Sequence, residues 1–266
     1  TGIGWYRKTF DWKINPDKVV FIEFDGVYRN SEVWLNGHLL GKRASGYSSF
    51  RYELTPFLVE GKNVVAVKVD NSAQPNSRWY SGSGIYRHVR VVSMGKVHVD
   101  QWGTFATTPK VSADSATVNL AIRLANQFGQ NTTIAVKSIL MTESGYEVAR
   151  AESEPMIANE AIVDINQSFV VKNPMLWDVD NPHRYNIVTQ VMVDGDVVDV
   201  YQTPIGIRTF NFDAQKGFSL NGKPMKMRSA TLASTLLASP ATEFCSCTTS
   251  GMPLSTAIMP AGKLTK

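Results

Sequence analysis

The sequence predicts an all-β chain built as two successive β-sandwiches. Three observations point there. Short runs of β-branched and aromatic residues recur along the chain, tight-turn dipeptides (Asn36-Gly37, Asp194-Gly195, Asn221-Gly222) punctuate them, and no dozen-residue window in the first third carries a helical apolar stripe. Asn-Gly and Asp-Gly supply the positive φ values that a two-residue hairpin requires.

Taken in order, residues 5–10 and 18–24 read as strands, and residues 31–41 as a hairpin around Asn36-Gly37. Thr55-Pro56-Phe57-Leu58 is a short connector, Gly61-Lys62-Asn63 a turn, and Val64 to Val69 a strand. Many short strands at this spacing predict a sandwich or jelly roll over residues 1–94. Ser93 to Lys96 reads as a join. Strand patterns then follow at 97–99, 118–125, 132–140, 161–171, 185–193 and 197–201. In Val118 to Leu124 the aliphatic positions are even, which buries one face and wets the other. About seven strands in about 110 residues suit an immunoglobulin-like sandwich over residues 95–210. Residues 211–228 read as a further hairpin.

The composition then changes. Residues 229–266 hold 13 Ser and Thr but three charged side chains, and prolines at 240, 253 and 260 interrupt any long helix, so this tail is expected to be irregular or disordered. The loss of pattern is abrupt enough to fit an out-of-frame or fused end. At the other end Thr1 is not an initiator methionine. A leader removed ahead of it would place the protein in the periplasm or outside the cell; the sequence does not fix the compartment.

Charge excludes some partners. Residues 1–94 carry 13 Lys and Arg against 8 Asp and Glu, and the remainder 14 against 15. The basic excess is scattered singly along strands, as on a solvated surface, so no nucleic-acid partner is expected. No apolar run has the length of a membrane span, and no membrane partner is expected. Cys245 and Cys247 are too close for a mutual disulfide and too few for a structural zinc site. The four histidines show no ligand spacing, and His88 and His98 read as surface residues on strands. Neither Gly2-Ile3-Gly4 nor Gly82-Ser83-Gly84 completes a phosphate fingerprint. No cofactor or metal is expected. Glu23, Asp25, Glu53 and Asp70 read as solvent-facing.

The richest stretch is Asn76-Ser77-Arg78-Trp79-Tyr80-Ser81-Gly82-Ser83-Gly84-Ile85-Tyr86-Arg87. It places arginines and aromatics on a loop between ordered segments, with glycines shaping the backbone. Aromatic faces stack on the C–H face of a pyranose, while Arg and Asn side chains hydrogen-bond its hydroxyls. The same aromatics read equally as packing between domains, and Trp79 is assigned that role.

This stretch resembles the loop near the end of the sugar-binding domain of glycoside hydrolase family 2, the β-galactosidase/β-glucuronidase family. Gly2-Ile3-Gly4-Trp5-Tyr6-Arg7-Lys8-Thr9-Phe10, Val33 to Gly41, Gly206-Ile207-Arg208-Thr209-Phe210 and Gly217 to Pro224 are similar to that family in the same order. Asn173 to Asp178 and Pro182 to Tyr185 look like its Pro-x-Leu-Trp … Pro-x-x-Tyr stretch. The resemblance covers residues 1–228 and implies a galactose-binding-like jelly roll, an immunoglobulin-like domain and a hairpin leading to a (β/α)8 barrel. It also implies hydrolysis of terminal β-galactosides or related β-glycosides by two glutamates, with the loop at 76–80 reaching toward the barrel's sugar pocket and Arg78 first, then Asn76, Ser77 and Tyr80, as its candidate sugar contacts. A retaining mechanism needs two carboxyls about 5–5.5 Å apart, yet Glu243 is the only glutamate after Glu160. The chain alone is therefore expected to be inactive, to supply loops and scaffold, and to self-associate through its exposed barrel-docking surface. The alternative is a stand-alone carbohydrate-binding or structural sandwich.

Overall fold

The computed structural model describes residues 2–73, 82–226 and 257–258. The chain folds into two compact units that divide between Gly95 and Lys96.

The first unit contains β1 (Ile3–Trp12), β2 (Lys18–Phe24), β3 (Val27–Tyr28), β4 (Ser31–Leu35), β5 (His38–Arg43), β6 (Phe50–Glu53), β7 (Gly61–Asp70), β8 (Gly84–Ile85) and β9 (Val89–Gly95). One sheet runs β1-β7-β4-β5, and the second contains β9-β2-β6; β3 pairs with β8. Alternation decides which side chains go inside. Val33 and Leu35 of β4 and Val65, Val67 and Val69 of β7 meet Val20, Ile22 and Phe24 of β2 and Val91 of β9 in one core. Phe24 stacks on Phe50 at 4.9 Å between ring centroids. The turn at Asn36-Gly37 has φ of 50° and 88°, and Asn36 Nδ2 donates to Phe57 O and to Asn63 Oδ1, which pins the hairpin to the connector. That connector is a single 3-10 turn, Thr55–Phe57. β7 starts at Gly61 rather than after a turn, because β1 extends to Trp12 and pairs with Asn63, Lys62 and Gly61.

The second unit contains β10 (Val97–Val111), β11 (Ser115–Asn126), β12 (Thr132–Thr133), β13 (Ala135–Thr142), β14 (Glu147–Ser153), β15 (Met156–Ile157), β16 (Ile162–Lys172), β17 (Tyr185–Val193), β18 (Asp196–Ile205), β19 (Phe210–Asp213), β20 (Gly217–Leu220) and β21 (Lys223–Pro224). Sheets β10-β11-β16 and β14-β13-β17-β18 enclose a core of Val118, Leu120, Ile122, Leu124, Val136, Leu140, Phe169, Ile187 and Val191, among others. The even positions of β11 are the buried ones, as the alternation predicts. Two sheets closed on a shared apolar layer make the sandwich. Gln167 Nε2 donates to Val136 O at 3.0 Å, tying β16 to β13 of the other sheet. The strand read at 97–99 runs on to Val111 as β10, and β14, with alternating exposure, and the short β15 have no counterpart in the sequence reading.

Trp177 organises the exit from this unit. Its amide donates to Ile207 O, Arg208 lies 5.0 Å over its ring, and a Cβ on Gly206 would fall 2.8 Å from its Cγ. Asn221 Nδ2 donates to Trp177 O at 3.0 Å, and Asn221 Oδ1 accepts from the Thr209 amide at 2.9 Å. The hairpin β20-β21, with its turn at Asn221-Gly222, is thereby fixed to the Trp177 segment. Of the expected irregular tail, the described residues are Ala257–Ile258, a two-residue strand (β22) beside β9.

Candidate functional site

The loop that carries Asn76, Ser77, Arg78, Trp79 and Tyr80 lies outside the described residues; its base does not. Asp70 ends β7, and Asn71 follows it fully buried. The Asn71 amide donates to Gly2 O at 2.9 Å, and Asn71 Nδ2 donates to Ser83 Oγ at 2.6 Å. The two flanks of the 74–81 stretch are thus joined side chain to side chain. Ser72 donates both its amide and its hydroxyl to Asp70 Oδ1, at 3.0 and 2.5 Å. These bonds hold the Asp70 carboxyl below the usual carboxylate range.

The glycines of the loop differ. Gly84 has φ of +106°, and a Cβ there would lie 1.9 Å from Tyr6 Oη. Its place is set by backbone and by close approach together. At Gly82, by contrast, no described atom lies within 4 Å of the Cβ position.

Past Gly84, β8 pairs Gly84 with Tyr28 and Ile85 with Val27, and the Asp25 amide donates to His88 O. This register gathers a polar and aromatic cluster beside the base of the loop. Arg90 Nη1 donates to both carboxylate oxygens of Asp25 at 2.9 and 2.8 Å. His88 Nδ1 lies 3.5 Å from Asp25 Oδ2, and Ser49 Oγ donates to Asp25 O. Tyr86 Oη donates to Gly46 O at 2.9 Å, and Tyr28 meets Tyr47 edge-on at 5.4 Å. Glu23, beneath Asp25, is pushed up by burial, against the pull of Arg51 and Arg90. The arrangement offers fixed donors and acceptors next to the exposed rings of Tyr47 and Tyr86, which is recognition chemistry.

Asp25 and Glu23 are therefore not the free, solvent-facing acids the sequence suggests, because each sits in a partly buried ionic network. His98 is buried on β10 rather than on the surface, whereas His88 is exposed as expected but lies between β8 and β9 rather than on a strand. Sequence reasoning missed the Asp25–Arg90 pair altogether. The two residues are 65 positions apart, and the antiparallel β2-β9 register joins them. Among the described residues no cluster of three or more His, Cys, Asp or Glu side chains could hold a metal, and no helix is long and apolar enough to cross a membrane.

Two family models match the chain. The sugar binding domain of glycosyl hydrolases family 2 covers residues 1–95, and a second family 2 model covers residues 97–208. Among curated relatives, a β-galactosidase of Bacteroides ovatus (BoGH2A) is 50% identical over 228 residues, covering 85% of this chain and 27% of that protein. A putative β-glucuronidase of Formosa agariphila is 38% identical, with 85% and 21% covered. Among solved structures, a family 2 glycosyl hydrolase of Bacteroides cellulosilyticus superposes with a TM-score of 0.80 at 36% identity, over 85% of this chain and 31% of that one. A β-glycosidase of Bacteroides vulgatus gives 0.73 at 40% identity, with 85% and 28% covered. The chain spans about a quarter of the length of the curated relatives it matches.

Proposed function

The chain belongs to glycoside hydrolase family 2, matching the N-terminal portion of its β-galactosidases and β-glucuronidases, and we propose that it is the sugar-recognising front of such an enzyme. The sugar-binding domain and the glycosidase relatives support carbohydrate as its ligand. In this reading the protein of which the chain forms part hydrolyses terminal β-galactosides or related β-glycosides. The 50% identity to a β-galactosidase carries that choice of sugar. The chain contributes binding and position. Arg78 is the principal sugar contact, and Asn76, Ser77 and Tyr80 assist from the same loop. Asn71 and Ser83 support this assignment: an ordering bond across the base reduces the conformational freedom that a binding loop must surrender.

The chemistry of hydrolysis comes from elsewhere, since two adjacent carboxyls are needed and one glutamate follows Glu160. The hairpin β19-β20 presents Phe210 and Phe212 to solvent, both more than 60% exposed. This face is the proposed dock for a barrel and, in the isolated chain, for a second copy. Calorimetry of the purified chain against galactose, lactose and glucuronic acid tests the reading. Binding of galactosides at millimolar affinity or better, lost in Arg78→Ala, is expected. Absence of sugar binding defeats the loop assignment, and saturable turnover of a chromogenic β-galactoside defeats the division of labour.

A further inference from the structure

The outer face of the sheet β1-β7-β4-β5 carries an aromatic feature that the loop does not use. On β1 the residues packed on the core are Tyr6, Phe10 and Trp12, so Trp5 and Arg7 point away from it. Directly paired residues share a face. One outward row is therefore Trp5, Lys68, Glu32 and Lys42, and the next is Arg7, Ala66, Trp34 and Leu39.

Trp5 and Trp34 stack across these rows, with ring centroids 5.2 Å apart and planes 29° from parallel. The small side chain of Ala66, between their strands, leaves room for both. Trp5 is nonetheless 57% exposed: one side of the indole is backed by Trp34, and the other faces water. Lys68 is paired with Trp5 on the neighbouring strand, and Glu32, two residues from Trp34 on β4, holds Oε1 3.1 Å from Lys42 Nζ and 3.9 Å from Lys68 Nζ, so the stacked pair is flanked by fixed donors and acceptors. The core of a protein interface is depleted of charge, yet half of these eight positions are ionic. A flat apolar face with a hydrogen-bonding rim instead matches a pyranose, which has C–H groups on its face and hydroxyls around its edge. Ile3 pairs with Asp70 one step along the same face, next to the Asn71 base of the loop, so a chain of sugars has a continuous path in that direction.

We infer that Trp5, backed by Trp34 and rimmed by Glu32, Lys42 and Lys68, is a stacking platform for one ring of a neutral, extended β-linked glycan. The inference needs neither Arg78 nor the family's hydrolytic reaction. The test is calorimetry of the full 266-residue chain with cellohexaose and with β-1,4-galactohexaose. Trp5→Ala is expected to weaken binding of at least one of them by about fivefold or more, as for loss of one aromatic stack. Trp5→Phe should keep part of the affinity, Glu32→Gln should weaken it, and Arg78→Ala should leave the Trp5-dependent part intact. A thermal melt of each variant checks folding, and the Glu32→Gln result stands if Trp5→Ala does not fold. Equal affinity in the parent and Trp5→Ala overturns the platform, as does no binding of either hexaose. Two further results do the same: a dimer in sedimentation that dissociates in Trp5→Ala, and tighter binding of oligothymidylate than of either hexaose. Loss of binding in Arg78→Ala alone overturns the platform and leaves the loop reading standing.

Discussion

Gly84→Ala is expected to destabilise the first unit through two separable effects. A non-glycine residue at φ of +106° costs about 1–3 kcal/mol in backbone strain. The new methyl would also meet Tyr6 Oη at 1.9 Å and Cζ at 3.0 Å. Tyr6 packs against the core, so its ring cannot swing clear without repacking, and overpacking of this kind costs about 1–3 kcal/mol. The total is about 2–6 kcal/mol. Tyr6→Phe separates the parts, since it deletes the hydroxyl that makes the close contact and leaves the backbone untouched. In a double-mutant cycle by urea unfolding, Tyr6→Phe should recover about 1–2 kcal/mol of the Gly84→Ala loss, with the strain remaining. Gly82→Ala, with no described atom within 4 Å of the new methyl, is the control and should stay within about 0.5 kcal/mol of the parent. A Gly84→Ala protein as stable as Gly82→Ala, or a loss wholly unaffected by Tyr6→Phe, would refute the argument.

Three further outcomes are expected. Asn221→Ala removes the bonds to Trp177 O and to the Thr209 amide and puts alanine at φ of 49°. It should cost about 1–3 kcal/mol, and hydrogen exchange should show the β20-β21 hairpin opening first. Leu120→Ala, in the fully buried centre of the second core, should cost about 2–5 kcal/mol in the denaturant transition of that unit. Glu23→Gln tests the acid raised by burial. A folded pKa above the unfolded one makes the carboxyl's contribution to stability greatest below the unfolded pKa, and the contribution falls as pH rises through the folded value. The stability of the parent relative to Glu23→Gln should therefore decline from pH 3 to pH 7; an increase over that range contradicts the assignment.

Strand patterns and turns were legible in the sequence because they are local. Asn36-Gly37 and Asn221-Gly222 require their backbone angles wherever they sit, and the alternation of Val118 to Leu124 is a property of one strand against one core. What the sequence could not give arises between distant segments. The extension of β10 is one case: bulges between Val99 and Thr104 and between Thr107 and Lys110 break the alternation by which a strand is recognised. The Asp25–Arg90 pair exists through the register of β2 on β9, and nothing in the local text around either residue announces it.

The same distinction explains what the motifs mean. Gly206 lies under the Trp177 ring, Gly84 under the Tyr6 hydroxyl, and Asn36 bonds to Phe57 and Asn63. Each belongs to a string by which the chain resembles family 2, and each holds one segment against another, with no sugar in the account. A motif of this kind identifies a scaffold. The residues that face a ligand must be found by asking what the scaffold leaves exposed and fixed. By that criterion the base of the 74–81 loop and the Trp5 face are two places among the described residues of the first unit where apolar rings meet water beside anchored polar groups. A sugar needs both in one place, because its hydroxyls must exchange water for protein partners at little net gain, and stacking on a ring supplies the remainder.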